Sequence, residues 1–207
     1  MLNSIATPDR QLDIVRRLNT SRDWGFTEID FPAVPKHAIL DEHERLILSI
    51  CLPGDQRSNF VRTVDEFWLS ANIKGWEKEK AKPEFFEHTH PVEEAEWQPG
   101  VHWVALDLEA YKNETPGDAS RISCNYEAEL ASMELLSLLL FESRWEKKSY
   151  NGFWLSGASI PNPHCSDFPL TPCLIFDEKR KRVILDAGST ELSGSGFTNP
   201  TARRVHV

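Results

Sequence analysis

Between Leu135 and Phe141, six of seven residues are apolar and the remaining one is Ser137. Such a run falls far short of the ~20 apolar residues that cross a bilayer. It is also apolar on too many sides for a helix resting on a surface, so it belongs in a packed interior. Upstream, Asn125 is a fair helix cap, and Glu127 and Glu129 suit a first turn. Leu130, Met133, Leu136 and Leu140 then recur at helical spacing. The pattern predicts a long buried helix over 126–143, and the rest of the chain has to be arranged around it.

The other segments are shorter and mixed in kind. Thr7-Pro8-Asp9 reads as a helix start, with Leu12, Val15 and Leu18 on one side. Thr63-Val64-Asp65-Glu66 has the form of a capping box before Phe67 and Trp68. Ala38–Leu40 and Leu46–Leu52 suggest a hairpin, and His102–Leu108 and Phe153–Leu155 read as strands. The clearest hairpin joins Cys173–Phe176 to Val183–Leu185. Asn113–Asp118 reads as a loop. Helices and strands alternate without a regular βαβ rhythm. The expected fold is therefore α+β: an antiparallel or mixed β-sheet with the 126–143 helix packed on it and smaller N-terminal helices. A chain of 207 residues is expected to form a single globular domain over 1–207, with a weak boundary near 77–84 and a loop or tail over 188–207.

Charge narrows the partners. The formal net charge is −9, and the only short basic clusters are Lys179–Arg182 and Arg203-Arg204. Nucleic-acid affinity rests on cations meeting phosphates, so a protein or small-molecule partner is favoured over nucleic acid. No secretory signal pattern and no membrane span are expected, and the four cysteines, at 51, 124, 165 and 173, form no C-x-x-C pair. A cytoplasmic setting with reduced thiols is the expectation.

Three clusters carry potential chemistry. In an extended segment His88 and His90 face the same way, and with a nearby carboxylate they make a workable site for a divalent transition metal. His88, His90 and Glu94, followed by Gly100, resemble the first signature of the cupin family. The resemblance implies a small β-barrel in which His88, His90 and Glu94 are metal ligands. It is confined to residues 88–100, and no second signature ending in His and Asn follows. His164 and Cys165 sit in a loop with prolines at 161, 163, 169 and 172, a setting suited to binding a ligand or partner. A thiolate nucleophile there would need a histidine from elsewhere, with His88, His90 and His102 as candidates. Arg203 and Arg204 could pair with a phosphate or a partner's carboxylate. Glu134 is conspicuous as an acid inside the apolar helix, where burial demands a raised pKa or a partner.

Two functions of different class are compatible with this pattern. One is an accessory or interaction protein that binds another macromolecule; the other is a metal-dependent hydrolase or oxygenase using His88, His90 and a nearby carboxylate. A deep pocket with convergent titratable groups would argue against the first.

Overall fold

The computed structural model describes residues 5–54, 56–70, 89–92, 97–123, 128–141, 151–162, 169–177, 179 and 182–206. Among the described residues it is an α+β structure with four α-helices: α1 (Pro8–Arg22), α2 (Gln56–Ser70), α3 (Pro116–Ser123) and α4 (Met133–Phe141). No helix among the described residues is long and apolar enough to cross a membrane.

A four-stranded antiparallel sheet organises the site. Its strands are β1 (Glu44–Cys51), β3 (Gly100–Asp107), β4 (Glu129–Leu130) and β10 (Thr201–Arg204), in the order β1-β3-β10-β4. β1 and β3 pair along their whole length, from Glu44 opposite Asp107 to Cys51 opposite Gly100. β1 therefore pairs with β3 rather than with residues 38–40. Ile39 is 86% exposed, so a 38–40 strand would have had no apolar face to bury.

β1 is an edge strand, yet several of its outward backbone groups are occupied. The Gln11 side-chain oxygen accepts from the Leu48 amide at 2.8 Å, while its nitrogen donates to the Leu46 carbonyl at 3.1 Å. The Ser137 hydroxyl accepts from the Ile50 amide at 2.9 Å and donates to the Met133 carbonyl at 2.8 Å. The single polar residue in the apolar run thus closes the sheet edge, which would otherwise leave a buried donor unpaired.

The long-helix expectation is corrected at its start. Glu129 and Leu130 form β4 against Ala202 and Thr201, and α4 begins only at Met133. Ser132 lies just before the helix, and its backbone amide donates to the Glu134 carboxylate at 3.0 Å. Pairing with β10 satisfies backbone groups that an earlier helix start would have to satisfy within itself. Residues 124–127 and 142–150 lie outside the described residues. From Met133 to Phe141 every residue except Glu134 is buried, as the width of the apolar run requires.

α2 differs in a similar way. Thr63 is buried in the middle of the helix instead of capping it. Phe60, Val64 and Phe67 make one buried stripe, so burying Phe60 carries the helix past the local capping signal. The loop expected over 113–118 ends early, because Thr115 caps α3: its hydroxyl accepts from the Asp118 amide at 3.0 Å, with Pro116 in the first turn.

A second four-stranded sheet contains β5 (Gly152–Trp154), β7 (Leu170–Asp177), β8 (Arg182–Ser189) and β9 (Phe197–Thr198), in the order β8-β7-β5-β9. The expected hairpin is β7–β8, and β5 pairs in parallel with β9. β2 (His90–Pro91) and β6 (Ala158–Ser159) form a small separate pair. Where a loop or tail was expected over 188–207, the chain ends β8, adds β9 to the second sheet and then inserts β10 between β3 and β4. Asn199, at the corner, is fully buried. Its side-chain nitrogen donates to the carbonyls of Tyr111 at 3.1 Å and Glu114 at 3.0 Å, and its oxygen accepts from the Ser156 hydroxyl at 2.6 Å. A polar Gly-Ser-rich composition hid a segment whose backbone is held by distant elements.

Candidate functional site

Side chains alternate along a strand, so the central sheet has two different faces. Ser49 and Cys51 on β1 share a face with His102 and Val104 on β3 and with Ala202 and Arg204 on β10. On this face lies a cleft of about 810 Å³. The first turn of α4 brings Glu134 to it from one side, and Val92 and Gly157 border it from the β2–β6 pair. Gly157 is required there, because a Cβ would sit 2.3 Å from the Leu130 carbonyl oxygen. Trp97 supplies an aromatic wall, stacked on Phe60 with ring centroids 5.6 Å apart.

The titratable groups of the floor are shifted in different directions. Glu134 is enclosed by protein but keeps an opening to the cleft. Burial raises its carboxyl above the usual range, and the hydrogen bond from the Ser132 amide only partly opposes this. Cys51 is pushed up to about 12, by burial first and by the nearby Glu134 second. Its thiol therefore keeps its proton and is a poor nucleophile at neutral pH. His102 is pushed down to about 4, by burial and then by the Arg204 guanidinium, so its imidazole is neutral and able to accept a hydrogen bond. The Ser49 hydroxyl is completely buried. It faces Glu134, whose carboxyl pKa it helps to lower, but it makes no hydrogen bond of regular geometry among the described residues.

The residues singled out in the sequence are distributed differently. His90 is exposed, with its Nδ1 at 2.9 Å from the Pro91 carbonyl oxygen, and it does not line the cleft. His88, Glu94, His164 and Cys165 lie outside the described residues. Among the described residues, no three His, Cys, Asp or Glu side chains are grouped so as to hold a metal ion. The described strands form open sheets rather than the small barrel that the cupin resemblance implies.

Arg203 and Arg204 point to opposite faces. Arg203 grips Glu44 with Nε to Oε1 at 2.7 Å and a second bond at 2.5 Å, and it also donates to the Ile39 carbonyl at 2.9 Å. Burial works against ionisation of Glu44, but the Arg203 hydrogen bonds and the Asp41 amide prevail and lower its pKa. Arg204 is exposed and borders the cleft.

Glu134 was conspicuous in the sequence because it interrupts an apolar helix. Ser49, Cys51 and His102 were not seen as a group. The available signal was Ser49 and Cys51 two residues apart in one apolar strand and His102 in another, which becomes a shared face only once β1 and β3 are known to pair. No protein-family model matches the chain, and no curated protein or solved structure shows significant similarity to it.

Proposed function

We propose that the protein binds a small molecule in the cleft on the central sheet. The observation that carries this reading is the Ser49 hydroxyl, buried in the cleft floor beside Glu134 without a hydrogen bond of regular geometry among the described residues. A buried hydroxyl left unpaired costs about 1–3 kcal/mol, a debt that a ligand hydrogen bond removes. The cleft volume, about 810 Å³, falls in the range of small-molecule sites, and Trp97 offers a rigid apolar surface beside the polar floor. The neutral His102 ring can accept a hydrogen bond and the Glu134 carboxyl offers further polar atoms, so a ligand with polar atoms suits the floor.

The convergence of titratable groups in one cleft favours a small ligand over an accessory role in binding a macromolecule. The metal-dependent reading draws on His88 and Glu94, outside the described residues, so the cleft is the better supported site. A fragment screen by amide and indole NMR tests the proposal. Binding fragments are expected to shift the signals of Ser49, His102 and the Trp97 indole together, with Trp97→Ala weakening them about tenfold. Shifts confined to other surfaces would refute it.

A further inference from the structure

Among the described residues of the cleft, Arg204 is a cation that no carboxylate of the fold engages. Its neighbour Arg203 is held by two bonds to Glu44 on the opposite face. Arg204 is exposed at the cleft border, and no carboxylate among the described residues pairs with it. It lies on β10 opposite Val104, two residues along β3 from His102, which in turn lies opposite Ser49 on β1. A line across the sheet therefore runs from a cation through a neutral imidazole to the Ser49 hydroxyl, with Trp97 alongside. Among the described residues, the other ionisable groups that line the cleft are Glu134 from α4, Glu129 from β4, Cys51 from β1, His206 beyond β10 and Arg203, which is engaged by Glu44. Glu129 and His206 are exposed at the rim.

We infer that the cleft takes a small organic anion, with its oxyanion held by Arg204 and its body extending over His102 towards Ser49 and Trp97. A guanidinium binds the oxygens of a carboxylate or a phosphate through paired N–H donors, and the two groups share this chemistry. The apolar body fits Trp97, and a second polar atom on it would complete Ser49. The inference rests on the small-molecule reading above and adds the charge and orientation of the ligand. An anion beside Arg204 also offsets the positive field that helps to keep His102 unprotonated, so binding should raise the pH at which His102 titrates.

Calorimetry on the full chain at pH 7 compares phenylacetate, phenyl phosphate and the neutral phenylacetamide. At least one anion is expected to bind about tenfold or more tightly than the amide, a difference that Arg204→Gln abolishes while leaving the amide within about twofold. The preferred anion decides between carboxylate and phosphate. In parallel, the His102 ring signal should titrate at higher pH with the anion bound than with the amide bound. If the amide binds as tightly as both anions, or if Arg204→Gln keeps the anion preference, the inference is overturned while the small-molecule reading stands. If none of the three binds at millimolar concentration, the anion inference is overturned, and the broader reading then depends on the fragment screen alone.

Discussion

The two faces of the central sheet are made by alternate residues of the same strands, and they treat polar groups in opposite ways. On the face away from the cleft, Trp103 is 1% exposed and its indole nitrogen donates to the Ala33 carbonyl at 2.8 Å. Arg203 is engaged by Glu44 on that same face. On the cleft face, the neighbours of these residues are His102 and Arg204, and Ser49 opposite His102 makes no hydrogen bond of regular geometry among the described residues. On the closed face, the Trp103 indole and the Arg203 guanidinium are satisfied within the chain. Groups left open beside a cleft are available to something from outside. The contrast between Arg203 and Arg204 is the sharpest, because one residue step separates a structural cation from an available one.

Substitutions should separate the faces, and the largest effect belongs to the closed one. Trp103→Ala is expected to cost about 4 kcal/mol in urea unfolding, since it empties a buried aromatic site and orphans the Ala33 carbonyl. A loss below about 1 kcal/mol would mean that the closed face is not closed.

His102 should give an intermediate effect that depends on pH. Its folded-state value is about 4, against 6.5 for the unpaired imidazole. Between those values the unfolded chain takes up a proton that the folded chain refuses, so stability falls as pH is lowered from about 6.5 to about 4. The loss should reach about 2 kcal/mol once solvent screening is allowed for. His102→Asn cannot titrate and should flatten that limb, and an unchanged limb would place the titration elsewhere. The smallest effect on stability belongs to Ser49→Ala, which removes a hydroxyl without a regular hydrogen bond among the described residues. Its unfolding free energy should stay within about 0.5 kcal/mol of the parent or rise slightly. A loss of 2 kcal/mol or more would show that the hydroxyl is already satisfied, and would break the contrast between the faces.

Much of the fold was legible locally. α1 follows its Thr7-Pro8-Asp9 start and ends at Asp23, which adopts a left-handed conformation with φ 52°. β3, β5 and the β7–β8 hairpin lie where apolar runs and turn residues place them. Errors arose where a local signal competed with distant burial. Thr63 has the form of a cap but lies inside α2 because Phe60 is buried on the same stripe. Leu130 continues a helical pattern but is paired as a strand with Thr201, a residue far along the chain.

Sequence alone determined that this chain needs a buried apolar helix and a mixed set of strands, because periodicity and composition are local properties that each segment carries with it. It also marked Glu134, because an acid in an apolar run is anomalous wherever that run ends up. The pairing of β1 with β3, the insertion of β10 from the Gly-Ser-rich C-terminal region and the division between Arg203 and Arg204 were decided only in three dimensions. Strand register converts a one-residue step into opposite faces, and neither the register nor the partner strand is encoded within the segment itself. The cleft depends on that register, since Ser49, His102, Glu134 and Arg204 become neighbours only when four separate elements are docked.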